Sequence, residues 1–345
     1  MVWFSTVRSI LWTSEARASA LRDLLASEIV AVSTAHDFLN ARRDTQTISF
    51  LESASLASLD RTAMELGVPP EQLAPPGPTI VICDEPLQGA ISWLPAHPWL
   101  AHVVSAGMLE HPLGAEHLRN VMGSLISSSR PRLLDWLGDT MDGRRVRLAS
   151  ASRRVARLER MSDYFGQKGV SSRTIQQLRD VAEELLTNAF YDAPVAAGVV
   201  KQPISRTQDV ALPDDSACDM VYGSRDDLAI VRVRDPFGAL QRQRLVEVLV
   251  RCARTDMQVE VDESMGGAGL GLWRIFSAAS FVAISVVNGR YTEFLVGIGK
   301  RAPGARPFAF HLFFREYGRP VRRWKLLDAD STKPSINNSV SIINK

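Results

Sequence analysis

Glu184 and Asn188 stand four residues apart in Glu184-Leu-Leu-Thr-Asn188, inside an amphipathic run, so both side chains leave one face of a helix. An amide oxygen is a hard ligand suited to Mg²⁺, which takes few protein ligands and keeps its waters. A carboxylate one turn earlier can take a proton from a hydroxyl or a water. Taken alone, such a pair also describes the wet face of any helix. Further along, Asp235 ends the apolar run Leu-Ala-Ile-Val-Arg-Val-Arg, where a strand-end carboxylate can accept from an exocyclic amine or merely start a turn before Pro236. Last comes Gly267-Ala-Gly269-Leu270-Gly271, glycines opening a helix whose N–H groups and dipole suit phosphate oxygens. The run before it, Gln258–Met265, is polar and acidic, which excludes the dinucleotide-binding setting of a buried strand. In this order the three parts suit magnesium-complexed ATP, so ATP and Mg²⁺ are the expected cofactors.

The order and spacing resemble the GHKL family of ATPases and kinases, which includes gyrase and the histidine kinases. On that resemblance residues 184–188 are the N box, the segment around Asp235-Pro-Phe237-Gly238 the G1 box, and residues 266–272 the G2 box. The resemblance implies Glu184 as the base, Asn188 as the Mg²⁺ ligand and Asp235 as the partner of the adenine amine. It also implies a nucleotide-contacting set completed by Asp192, Phe237, Gly238, Gly267, Gly269, Leu270 and Gly271, with residues 241–265 as a lid. One departure is plain: the usual Asp-x-Gly-x-Gly reads Asp235-Pro-Phe237-Gly238-Ala239 here, which sets Phe237 against or upon the base. An F box is also missing.

The elements that must position these residues fall into two domains. Through residue 128, short β-type runs (Val7–Leu11, Glu28–Val32, Thr47–Leu51, Thr79–Cys83, His102–Ser105) alternate with helical patterns. That alternation predicts a doubly wound parallel α/β sheet. It resembles a receiver domain, but without the acidic pair after the first strand, the phosphoacceptor Asp after the third or the Lys after the fifth. It therefore reads as a pseudo-receiver used for contacts, with Asp84 and Glu85 as a helix start. Residues 129–143 read as a linker, 144–316 as an α+β sandwich of the GHKL type, and 317–345 as a flexible basic and polar tail. Within 144–316, Val155, Leu158, Met161 and Phe165 mark an inward stripe, with Arg153, Arg154, Arg157 and Arg160 on the wet face, and Ser171 is placed to cap the next helix.

Among the six histidines none lies between Gly123 and Asn188, which argues against a phosphoacceptor helix ahead of the ATPase segment. The strand–helix–helix lead-in and Glu184 are similar to the anti-sigma-factor serine kinases. The function this implies is transfer of phosphate to Ser or Thr of a partner protein, anti-anti-sigma-like or response-regulator-like, with a homodimer allowed. The alternatives are a nucleotide-sensing scaffold without catalysis and a histidine kinase acting in trans. Lys plus Arg (40) nearly balances Asp plus Glu (38), so no global charge recruits nucleic acid or membrane. Three scattered cysteines and the lack of a long apolar run point to a cytoplasmic protein.

Overall fold

The computed structural model describes residues 7–25, 28–41, 46–68, 77–138, 143–213, 216–225, 228–254, 270–299, 307–315 and 340–343. The chain divides into two compact units: Met1–Pro131 with Ala253–Asp256 and Arg301–Leu312, and the remainder. It is a mixed α/β fold.

The first unit alternates β1 (Arg8–Trp12), α1 (Glu15–Leu25), β2 (Glu28–Ala31), α2 (Ala35–Asn40), β3 (Thr47–Glu52), α3 (Leu56–Glu65), β4 (Thr79–Cys83), α4 (Leu87–Ser92), β5 (His102–Ser105), α5 (Ala106–Glu110) and α6 (Gly114–Ile126). The five strands are parallel in the order β2-β1-β3-β4-β5. The inner strands are buried almost throughout, β4 at all five positions, because crossover helices cover both faces of such a sheet. That is why each reads as a continuous apolar run. β2, at the edge, is mostly exposed.

Asp84 and Glu85 do not start a helix as their position suggested. α4 begins at Leu87 behind Pro86, with no side-chain cap. Instead Arg17 pairs with both Asp84 and Glu52, Ser14 donates its N–H (2.9 Å) and hydroxyl (2.7 Å) to Glu52, and Ser53 donates to Glu85 at 2.8 Å. The carboxyl ends of β3 and β4 are thereby stitched to the start of α1. The Asp84 hydrogen bond is the main reason the Arg17 guanidinium holds its proton more firmly than usual.

The second unit contains α7 (Leu133–Leu137), β6 (Gly143–Leu148), α8 (Arg154–Gln167), α9 (Ser172–Thr187), α10 (Ala193–Ala196), β7 (Cys218–Arg225), β8 (Leu228–Asp235), α11 (Arg242–Ala253), α12 (Leu270–Ala278), β9 (Phe281–Val287) and β10 (Tyr291–Gly299). β6, β7, β8, β10 and β9 pair antiparallel in that order. α7, in the expected linker, packs into this unit: Trp136 stacks on Phe281 with ring centroids 5.1 Å apart. Ser171 caps α9 as its sequence position implies, accepting from Thr174 N–H at 3.2 Å.

α8 is rotated from the expected stripe. Leu158, Met161 and Phe165 are buried, but Val155 is 55% exposed, while Arg157, assigned to solvent, is buried. The side of α8 that carries Tyr164 turns toward the sheet, where Tyr164 meets the Tyr222 edge at 5.3 Å, and that rotation leaves Val155 outside.

Two later strands pair with earlier ones. In β11 (Ala309–Arg315), residues Ala309, Phe310 and His311 pair antiparallel with β5 in the first unit. β12 (Val340–Ile343) pairs antiparallel with β6, so this part of the expected flexible tail is a strand. Among the described residues no helix is long and apolar enough to cross a membrane.

Candidate functional site

α9 carries Glu184 and ends at Thr187, and the chain then makes a single π turn, Asn188–Asp192, in which Ala193 N–H reaches Asn188 C=O. A π turn inserts one extra residue into the helical ladder and re-aims the residues beyond it, and such turns concentrate at functional sites. Here it brings both Asn188 and Asp192 to the wall of one cavity of about 360 Å³. Asp235, Ala239, Leu240, Gln241, Arg244, Leu272, Thr292 and Phe294 also line it. That volume falls within the roughly 300–1,000 Å³ of small-molecule sites. Residues from the end of α9, from the segment after β8 and from α12 therefore line one cavity.

At one end Asp235 sits opposite Thr292 in the β8–β10 register. Its Oδ1 accepts from Phe237 N–H (2.8 Å) and Gly238 N–H (3.3 Å), and Thr292 donates through both hydroxyl and backbone. Asp235 is thus a turn former as well as a wall of the cavity. Burial outweighs these hydrogen bonds and lifts its carboxyl to about 6. Gly238 takes φ +63°, and a Cβ there would lie 2.2 Å from Val287 C=O, so only glycine fits. The turn after β8 is therefore made at Gly238. Phe237, placed near a base by its sequence position, lies outside the walls of this cavity. Its ring is buried and lines a neighbouring space of about 520 Å³ with Val286, Asn288 and Phe314.

At the other end Asn188 donates to Glu184, which leaves its amide oxygen for another partner. Glu184 lies against the first turn of α12: a Cβ on Gly271 would fall 1.8 Å from Glu184 Oε1. Desolvation raises the Glu184 carboxyl, opposed first by Arg206, reinforced by Asp192, then opposed by Arg274 and by the Asn188 hydrogen bond. The Asp192 carboxyl is also raised by burial, again opposed by Arg206, whose guanidinium stands 3.8 Å from Oδ2. A Glu184 carboxyl raised by burial, next to a hydrogen-bonding amide, can exchange a proton with a nearby hydroxyl. Among the described residues no group of three or more His, Cys, Asp or Glu could hold a metal. Mg²⁺ needs only one or two protein oxygens when a phosphate supplies the rest, and Asn188 offers one.

Gly267 and Gly269 lie outside the described residues, and of Leu270 only the backbone, as the first residue of α12, is described. The expected lid also differs from the structure in its first part. Residues 242–253 form α11, with Leu245, Val246, Val248 and Leu249 buried, and residues 255–265 lie outside the described residues. Sequence reasoning missed Thr292, Arg244 and Arg206. A Thr facing Asp235 could have been sought from strand pairing, whereas nothing near Arg206 signals its position.

Neither models of known protein families nor curated proteins give a match to this chain.

Proposed function

We propose that this chain binds Mg²⁺-ATP in the second unit as a GHKL-type nucleotide site, and acts as a signalling kinase on Ser or Thr of a partner protein. The observation that carries the reading is the convergence of three distant segments, around Asn188, Asp235 and Leu272, on one cavity. Their order along the chain is that of the N, G1 and G2 boxes. Asp235 and Thr292 would hold the base, Asn188 would offer its oxygen to Mg²⁺, and the start of α12 suits phosphate. The bound nucleotide would supply the transferable phosphoryl group. Glu184, with its raised carboxyl, would take the proton of the acceptor hydroxyl.

The first unit then serves regulation as a receiver-like module. Its order β2-β1-β3-β4-β5 is that of flavodoxin-like sheets, and its strand ends are closed by the Arg17 network, which fits contact-making without phosphorylation. A second reading, a nucleotide-sensing scaffold without catalysis, is favoured by one observation: Asp235 already accepts hydrogen bonds from Phe237, Gly238 and Thr292.

The test is calorimetric binding of ATP with and without Mg²⁺, on wild type and Asn188→Ala. Wild type should bind, and Asn188→Ala should lose at least about tenfold of the Mg²⁺-dependent affinity, the scale of one charge-assisted contact. No binding at millimolar ATP sinks the reading. Glu184→Ala should bind ATP yet transfer no phosphate, and retained turnover would remove Glu184 from the base role.

A further inference from the structure

We infer that Arg154 is a positioning residue of this site: its guanidinium holds the chain on both sides of the π turn and thereby aims the Asn188 oxygen at Mg²⁺. The inference rests on the nucleotide reading above and adds to it the residue that keeps the metal ligand in place.

Arg154 is the first residue of α8 and stands among arginines that the sequence assigned to solvent, yet only 13% of its side chain is exposed. It reaches three residues of the neighbouring helical segment. Its Nη1 donates to Thr187 Oγ1 at 3.2 Å, and its Nη2 lies 3.6 Å from Glu183 Oε1. The guanidinium carbon stands 5.1 Å from the centre of the Tyr191 ring. Glu183, Thr187 and Tyr191 immediately precede Glu184, Asn188 and Asp192 in the chain. One side chain therefore holds the residue before each acid or amide of the site.

That hold spans the irregular point. Thr187 closes α9 and Tyr191 lies inside the π turn, so Arg154 bridges the break in the helical ladder. Such rare backbone persists where its surroundings over-determine it. A cation suits this place twice, because α9 ends its dipole at Thr187 and the Tyr191 ring offers its π face. Thr187 and Tyr191 are both buried, and Tyr191 donates its hydroxyl to Gln208 C=O at 2.8 Å, which fixes the ring from its far end. A planar guanidinium meets hydroxyl, carboxylate and ring together, which a compact ammonium does not. Without it the turn relaxes and the Asn188 oxygen leaves its direction. Asp235 and Thr292 are carried by β8 and β10, so the base end of the site does not depend on this hold.

The test is calorimetric binding of ATP to the full chain, with Mg²⁺ and with Mg²⁺ chelated, read as the affinity gained from the metal. Wild type should show a gain. Arg154→Ala should lose about fivefold or more of it, while Mg²⁺-free affinity stays within about twofold. Arg154→Lys should recover part of the gain, since the charge remains while the fork is lost. Thr187→Val, which keeps the shape and removes one acceptor, should lose part of it, and this variant decides the matter if Arg154→Ala does not fold. In an Asn188→Ala background Arg154→Ala should change the gain no further, a dependence that a merely structural role would not produce. Equal gains in wild type, Arg154→Ala and Thr187→Val overturn the inference and leave the nucleotide site standing. So does an equal fall of affinity with and without Mg²⁺, which would make Arg154 a general support of the fold. A wild type that binds no ATP overturns the site itself, and this inference with it.

Discussion

The two units treat their carboxylates in opposite ways. In the first, Glu52 and Asp84 meet Arg17, and Glu52 also takes two donors from Ser14. In the second, Glu184, Asp192 and Asp235 are carried partly out of water, and burial raises all three. Each has some compensation, but not enough to cancel the loss of hydration. A carboxylate satisfied by its own protein stabilises structure. One that burial makes costly to ionise despite its partners stays responsive to what approaches it, which is why perturbed acids mark functional sites. The difference separates a crevice that has been closed from one that has been kept open.

Acid sharpens the contrast most. His102, His117 and His311 are buried together in the first unit, with His117 Nε2 and His311 Nε2 2.9 Å apart. Burial pushes His102 and His117 down to about 3, and His311 well below its ordinary value. A depressed folded value means the unfolded chain binds protons first, so stability present above about 6.5 is lost as the pH falls toward 3. Asp235 behaves oppositely, since a raised folded value gives a contribution present below about 4 and lost as pH rises through about 6. Taking the pH from 7 to 4 should therefore loosen the first unit relative to the second. Hydrogen–deuterium exchange corrected for intrinsic rates should find β5 and β11 opening before β8 and β10. Simultaneous opening breaks the comparison.

A smaller effect is expected from Asp235→Asn. Removing a carboxylate that burial disfavours should leave the second unit equally or more stable at pH 8, by up to about 2 kcal/mol in urea unfolding, while ATP affinity falls. Affinity in wild type should also weaken below pH 6, as Asp235 takes up its proton. A clear loss of stability in the variant would mean that its turn hydrogen bonds outweigh its burial. Smallest of all is Arg17→Ala, whose ion pairs are partly exposed. It should cost about 1 kcal/mol in the first unit and leave nucleotide affinity unchanged. An effect on affinity would contradict the assignment of the Arg17 network to structure alone.

The strands were largely legible because buried strands between helices are apolar runs with sharp ends. Thr79–Cys83 and His102–Ser105 coincide with the runs seen in the sequence. The Ser171 cap was legible because its partner is three residues away. The features that escaped depend on contacts that span the chain. Val155 and Arg157 exchange sides because Tyr164 finds Tyr222, a choice that periodicity within α8 does not contain. Thr292 meets Asp235 across a strand pairing, and His117 meets His311 from 194 residues away. Phe237 looked like a base-stacking ring because the G1 pattern puts a glycine there. The chain uses Gly238 for that turn instead, and sends the ring inward.

The π turn at Asn188–Asp192 works like a vernier. The helix before it is phased to bury Leu178, Ala182 and Leu185 against the sheet, and the segment after it is phased to face the cavity. No uninterrupted helix could satisfy both, since a single pitch fixes one phase along its whole length. Removing one residue here would leave a smoother helix and rotate Asp192 and every later residue of the segment by about a quarter turn. The unit gives up regularity at one point, and that point separates the part of the helix that holds the fold from the part that lines the cavity.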